Sequence, residues 1–195
     1  MVGITFKISI IYGKFNKQYF TTTNDKFEFD GGGVMCLTFK KISDFDRGIL
    51  YQLLVDGYSF DNRWRECFEQ NWKESDDFFF ENLDIADKCG FITVLDDKPI
   101  GHISWDPRNR PEYVEIGHNC IASEYKGNGY GKRQLQEAIN RILQYKGLKK
   151  IIVGTNYNLV APHNYESVGF KLLQRRKNED AASFSGDYLD YGMLL

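Results

Sequence analysis

The run Ile121-Ala-Ser-Glu-Tyr-Lys-Gly-Asn-Gly-Tyr-Gly-Lys132 gathers the residue types with the clearest chemical use in this chain. Alternating Gly127, Gly129 and Gly131 open backbone conformations closed to other residues and leave room for a ligand to come close. Behind them Leu135, Ala138, Ile139, Ile142 and Leu143 recur at the spacing of one buried helix face. A helix that starts at the last glycine aims unpaired N–H groups, and about half a positive charge, at whatever fills the loop. That chemistry is anion binding, and phosphate is the anion it suits best.

Three phosphate-loop patterns compete for the run. A P-loop requires G-x-x-x-x-G-K followed by Ser or Thr. Here Arg133 follows Gly131-Lys132, and Lys126 stands where the first glycine belongs. A dinucleotide fingerprint requires G-x-G-x-x-G and an acidic residue about 20 positions on. The segment after the helix, Lys149-Lys150-Ile-Ile-Val, has no carboxylate. The third pattern fits. Lys126-Gly-Asn-Gly-Tyr-Gly131 resembles the Arg/Gln-x-x-Gly-x-Gly/Ala loop of the GNAT superfamily of N-acetyltransferases, with lysine at the first position as a charge-conserving departure. Asn158-Leu-Val-Ala161-Pro-His-Asn-Tyr165-Glu-Ser-Val-Gly169-Phe170 is similar to the family's second signature, N-x-x-A-x-x-x-Y-x-x-x-G-F, at each defined position. It lies one strand beyond the glycine-loop helix, where that signature belongs. The resemblance covers roughly Met35 to Leu195.

The resemblance implies an α/β (α+β) GNAT fold: a mixed, mostly antiparallel sheet flanked by helices and splayed at an acetyl-CoA slot. It implies acetyl-CoA as acyl donor, no metal, and a primary amine attacking directly in a ternary complex. The acceptor is then a small-molecule amine or a peptide amine. Loop residues Lys126, Gly127, Asn128, Gly129, Tyr130, Gly131 and Lys132 would hold the pyrophosphate through N–H groups, with the Lys126 and Lys132 ammonium groups as countercharge. The pantetheine arm can pair as a pseudo-strand with Asn119, Cys120 and Ile121. Gly117 would mark a bulge that opens the slot, or is an ordinary strand glycine. Asn158 would bind the cofactor or cap the helix.

An attacking amine must be neutral, and a lysine-like amine has a pKa near ~10.4, so a base is needed near neutral pH. Glu115 stands on the strand leading to the loop, at a spacing from Lys126 where many family members carry a catalytic carboxylate. Its alternative reading is a structural or solvated carboxylate. His118, with an ordinary pKa near ~6.5, is the other candidate base. Tyr165 occupies the motif tyrosine position and would give its proton to the departing thiolate. Cys120 reads as a buried thiol and His163 as a surface helix residue. A catalytically silent CoA-binding domain is the competing functional class.

These groups need elements to position them. Ser43-Asp44 offers an N-cap to a helix running to Val55. Helical stretches are expected over Arg63 to Trp72 and among Asp76 to Leu83. Gly90–Leu95 and Pro99–Trp105 read as a hairpin around Asp96-Asp97-Lys98. Tyr113 to Ile121 and Lys150–Gly154 read as the strands flanking the loop helix. Pro162 suits the first turn of a short helix reaching Val168. Phe170–Arg176 and Tyr188–Leu194 read as a final antiparallel pair. We expect the catalytic domain to span residues 34–195. Residues 1–33 form an N-terminal extension, with a composition shift at Asp30-Gly-Gly-Gly33. Either it is a linker or non-native read-through ahead of Met35, or it forms a hairpin of Ile4–Tyr12 with Lys17–Phe29.

Composition sets the remaining limits. The 195 residues, 42% hydrophobic and 27% charged, are sized and composed for a single ordinary globule. A net charge of −2 argues against nucleic acid as a bulk partner. Four cysteines without C-x-x-C pairing argue against zinc and disulfides and for a reducing, cytoplasmic setting. No apolar run approaches the ~20 residues of a membrane span. A monomer or homodimer is expected. Glu66, Glu69, Glu74, Asp76, Asp77, Glu81, Asp84 and Asp87 crowd the first half, as either a wall for a cationic acceptor or solvated helix faces. Trp64, Trp72, Phe78, Phe79, Phe80 and Trp105 are candidates to line the acceptor cleft.

Overall fold

A computed structural model describes residues 25–28, 34–179 and 186–195. Its strands are Asp25–Glu28 (β1), Val34–Lys40 (β2), Gly90–Leu95 (β3), Lys98–Asp106 (β4), Val114–Ile121 (β5), Lys150–Asn156 (β6), Lys171–Arg176 (β7) and Tyr188–Leu194 (β8). Its helices are Ile49–Gly57 (α1), Asn62–Glu81 (α2), Leu83–Cys89 (α3), Tyr130–Ile142 (α4) and Ala161–Ser167 (α5). The strands form one sheet in the order β1-β2-β3-β4-β5-β6-β8-β7. Each neighbouring pair is antiparallel except β5 with β6. The mixed, mostly antiparallel sheet flanked by helices is the expected fold.

Each face of the sheet has its own apolar layer. On one, Leu135, Ala138, Ile139 and Ile142 of α4 pack against Phe91, Ile103, Ile116 and Ile151. Leu143, the last residue expected in that stripe, is instead 46% exposed, because α4 has ended and the stripe no longer faces the sheet. On the other, Leu50, Leu53 and Leu54 of α1, Trp72 and Phe79 of α2 and Ala86 of α3 cover Ile92, Val94 and Cys120. Full burial of each such aliphatic or aromatic side chain is worth about 1.5–3 kcal/mol. Asp96 and Asp97 turn the β3–β4 hairpin at φ of 47° and 65°, the two left-handed positions of the tightest hairpin turn.

Two helix expectations need correction. Ser43 does not cap α1: residues 42–44 form a separate 3-10 turn, and α1 begins after Gly48 at φ 99°. Ser43 instead donates its hydroxyl to Asp87 at 2.7 Å. The cap comes from another helix. Asp76 of α2, 3% exposed, accepts the N–H groups of Gly48 (2.8 Å), Leu50 (3.0 Å) and Tyr51 (3.3 Å). The stretches expected over Arg63–Trp72 and Asp76–Leu83 are mostly one helix, α2, that ends at Glu81, with Leu83 opening α3. Trp64, Phe68, Trp72 and Phe79 keep one face apolar along α2, so exposed charged residues such as Glu66, Lys73 and Asp77 sit on its outer side without breaking it.

Of the first 33 residues, Asp25–Glu28 pairs with β2 at the sheet edge. The expected Ile4–Tyr12 strand lies outside the described residues, as does most of its Lys17–Phe29 partner. No helix of the described residues is long and apolar enough to cross a membrane.

Candidate active site

β5 and β6 run parallel but stay in register for only Val114 with Ile151, Glu115 with Ile152 and Ile116 with Val153. From Gly117 onward the two strands separate. The cause lies on the opposite edge of β5. Ile103 faces Asn119 while Trp105 faces Ile116, so Gly117 and His118 together oppose Ser104. This extra residue is a β-bulge, and bulges bend a strand away from its neighbour. Asn119, Cys120 and Ile121 therefore keep their β6-facing edge unpaired among the described residues, as a peptide-like ligand would require.

β5 leads through a short 3-10 turn into the glycine loop. Gly127 and Gly129 hold φ of 82° and 79°, and a side chain at either would meet no atom within 4 Å. The backbone needs glycine there, and the space in front of it is open. The N–H groups of Gly127, Asn128 and Gly129 donate to no backbone carbonyl among the described residues. Tyr130, Gly131 and Lys132 form the first turn of α4, ahead of the first Arg133 N–H to Gly129 carbonyl bond at 3.2 Å. N–H groups without backbone acceptors, in a loop with open space at Gly127 and Gly129, suit a pyrophosphate. Asn128 braces the loop by donating its amide to the carbonyls of Tyr125 and Lys126, each at 3.3 Å. Lys132 is exposed and available as countercharge. Lys126 is engaged elsewhere: its ammonium donates to the Gly57 carbonyl at the end of α1 and lies 4.9 Å above the Phe60 ring.

The splay opens into a cleft of about 170 Å³ that brings Glu115, His118, Asn119 and Tyr165 together. Glu115 is half-buried and makes no hydrogen bond or ion pair with another described residue. Burial raises its pKa, and the nearby carboxylates of Asp106 and Asp190 raise it further. Those carboxylates are themselves occupied, Asp106 by Arg108 at 2.5 Å and Asp190 by Arg176 at 2.6 and 2.8 Å. Glu115 is left as the carboxylate in the cleft with proton affinity to spare. Burial pulls His118 down to about 4, so its imidazole is neutral at pH 7 and a weaker base than an ordinary histidine.

Tyr165, buried on α5, takes a hydrogen bond from Asn119 Nδ2 at 3.3 Å. The phenol oxygen acts as acceptor there, which leaves its proton available to a partner in the cleft. Burial raises the Tyr165 pKa and keeps it neutral. Asn119 is oriented in turn by Gln134 of α4, whose Nε2 donates to Asn119 Oδ1 at 2.8 Å while its Oε1 accepts from Thr93 at 2.6 Å. Cys120 packs against Gly57, and burial pushes its thiol up to about 12, so it stays protonated and unreactive. Asn158 lies in the turn after β6, where its N–H donates to Asn156 Oδ1 at 2.9 Å and its side chain abuts Gly186; it does not line the cleft. His163 is exposed.

Several cleft residues carry no local signal in the sequence. Tyr58 follows the end of α1, lines the cleft, and packs against Trp64 at 5.5 Å and Trp72 at 5.4 Å. Its phenol pKa is raised by burial and then by Cys120 and Tyr165 nearby. Arg176 and Asp190 also line the cleft from β7 and β8. Gln134 had a legible sign: it falls in the register of α4's apolar stripe, where a polar residue implies a buried partner. Of the proposed aromatic wall, Trp64 and Trp72 line this cleft, whereas Phe78, Phe79 and Trp105 line a second cavity beside it. Phe80 lines neither and packs among the α1–α3 apolar layer.

Comparison with known proteins agrees with this geometry. No curated protein matches the chain. Among solved structures, the ribosomal-protein-S18-alanine N-acetyltransferase of Escherichia coli is similar at 15% identity, covering 82% of this chain and 93% of that one, with a TM-score of 0.60. A GNAT-family acetyltransferase from Bacillus anthracis matches at 18% identity over 81% and 94% of the two chains, with a TM-score of 0.61. Another, from Elizabethkingia anophelis with acetyl-CoA bound, matches at 18% over 83% and 98%, with a TM-score of 0.55. At these identities the likeness is one of fold. The sequence profile described as the acetyltransferase (GNAT) family matches residues 57–170, from the end of α1 through the second signature. With that match over more than half of its length, the chain belongs to the GNAT family of acetyltransferases.

Proposed function

We propose that the protein transfers an acetyl group from acetyl-CoA to a primary amine by direct attack within a ternary complex. One observation carries the reading. A half-buried carboxylate without a partner among the described residues (Glu115) and a buried neutral phenol (Tyr165) line the same cleft, which the strand splay opens beside the glycine loop. Acetyl-CoA, held by the N–H groups of Gly127 to Lys132 and the open edge of Asn119 to Ile121, supplies an activated acyl group as a thioester. Glu115 takes a proton from the acceptor's ammonium, through a water, and frees the nitrogen lone pair. The C–N bond forms as the C–S bond breaks, Tyr165 gives its proton to the departing sulfur, and the second proton shed by the acylated nitrogen restores the Tyr165 phenol. The ordinary thiol pKa near ~8.5 lies below that of a phenol, near ~10, so Tyr165 is an acid that holds its proton until the thiolate forms beside it.

Thiol release from acetyl-CoA, measured against a broad panel of amines, tests the reading directly. Turnover with an amine supports it. Binding of acetyl-CoA without turnover on any amine would instead identify a catalytically silent CoA-binding domain. Acetyl-CoA and CoA should raise the melting temperature while NAD and ATP do not. At about 100 times Kd the stabilisation is roughly 2.7 kcal/mol. Equal stabilisation by ATP would overturn the donor assignment.

A further inference from the structure

Beside the cleft lies a second cavity of about 160 Å³, close to the ~150 Å³ that admits a benzene ring. Phe78 and Phe79 of α2, Ile85 and Cys89 of α3, and Trp105 and Pro107 at the end of β4 supply its apolar walls. It shares Asn71, Gly117 and His118 with the cleft, so the two spaces adjoin at the bulge that bends β5. Glu115, two residues before the bulge glycine, lines the cleft beside that junction.

The charges around these spaces limit what an acceptor can carry. The eight carboxylates from Glu66 to Asp87 line neither cavity. Most are engaged within the helical layer. Glu69 bonds Tyr51 at 2.5 Å and Arg65 at 3.0 Å, and Asp77 and Glu81 approach Arg47 at 3.4 and 3.9 Å. Asp76 caps α1, and Asp87 holds Ser43. Asp190 in the cleft is paired with Arg176, and Asp106 in the second cavity is paired with Arg108. Among the described residues Glu115 is the cleft carboxylate without an ion-pair partner, and the nearby Arg176 and Arg108 further disfavour a polycation there, so it suits one ammonium.

We propose that the acceptor is a small monoamine bearing one bulky apolar group, with its nitrogen at Glu115 and that group in the cavity under α2. The inference rests on the acetyl-transfer reading and specifies its acceptor. The transfer is the one already described, with the ammonium proton passing to Glu115. The exposed lining is mostly apolar, its polar residues being Asn71, Ser75, Ser104, His118 and the ion-paired Asp106 and Arg108. A pocket of this kind recognises shape and apolar area, and each added methylene is worth about a factor of ten or more in specificity.

The test compares kcat/KM for phenethylamine, ethylamine, spermidine, kanamycin and a peptide with a free N-terminus, using the full chain and acetyl-CoA. Phenethylamine should exceed ethylamine and spermidine by about tenfold or more. Ser75, which lines the cavity from α2, provides a filling substitution: Ser75→Trp should lower the phenethylamine-to-ethylamine ratio about tenfold. Acetyl-CoA affinity and melting temperature verify that the variant is folded, and Ser75→Phe serves if it is not. Preference for spermidine, kanamycin or the peptide overturns the proposal, as does a ratio that neither filled variant moves. Calorimetric titration of phenethylamine into CoA-saturated protein reads the pocket without turnover. Binding that the filled variant weakens supports the pocket, and no binding overturns it. Thiol release absent with every amine while that binding persists would sink the acetyl-transfer reading alone.

Discussion

The two walls of the cleft are built on different principles. The proposed donor side, from β5 through the glycine loop to α4, works through backbone: left-handed glycines at φ of 82° and 79° and, among the described residues, N–H groups without carbonyl partners and a strand edge without a ladder. The proposed acceptor side, formed by the end of α1, by α2 and by the last strands, works through side chains. Tyr58, Trp64, Phe68 and Trp72 meet there from separate elements, with Arg176 and Asp190 opposite. A backbone site tolerates little variation in residue type and so leaves a motif. A side-chain wall can be assembled from many combinations and leaves none.

The contrast can be broken first at the chemistry. Tyr165→Phe keeps the ring and its packing but removes the phenol proton. We expect kcat to fall by about 10²–10⁴-fold with acetyl-CoA affinity unchanged, measured by steady-state kinetics and calorimetry. Tyr58→Phe should cost much less. If their order reverses, the proton comes from the acceptor wall.

Glu115→Gln should act through pH. Because the Glu115 pKa is raised by burial, wild-type kcat/KM should climb as pH rises through a value above that of an ordinary carboxylate, as the basic form appears. The variant loses that limb and falls about 100-fold near neutral pH, then recovers towards the amine's own pKa of ~10.4. A wild-type profile retained by the variant would transfer the base role away from Glu115.

A smaller effect is expected at the loop. Gly129→Val forces a side chain into a left-handed conformation at about 1–2 kcal/mol, while its Cβ meets no protein atom within 4 Å. Acetyl-CoA should therefore bind about tenfold more weakly at unchanged saturating kcat. Unaltered affinity would show that the loop does not hold the donor.

The smallest effect should come from removing residues 1–33. Among the described residues β1 pairs only with β2 at the sheet edge, on the far side from the β5–β6 splay. The truncated chain should keep its acetyl-CoA affinity. Insolubility or loss of binding would make the extension a structural part of the domain.

The order of strands and helices around the loop was legible because each is marked locally: periodic apolar residues in α4, the Asp96-Asp97 turn, Pro162 in the first turn of α5. The start of α1 was not, since its cap is Asp76, contributed by α2 from 26 residues beyond Leu50. Ser43 looked like a cap in sequence, but its hydroxyl is committed to Asp87. The same holds at the site. Glycine spacing and the second signature mark the donor loop and Tyr165, because left-handed backbone and one helix turn are properties of consecutive residues.

By itself, then, the sequence determined the fold class and marked the glycine loop as a candidate anion site and the pair Glu115 and Tyr165 as candidates for proton transfer. Tertiary structure decided their environment. It placed both residues in one cleft, turned Lys126 towards Gly57, drew the acidic residues of α2 into pairs of their own, and revealed the apolar cavity beside Glu115. Whether a charge is free or paired depends on what approaches it through space, and local residue order does not encode that approach.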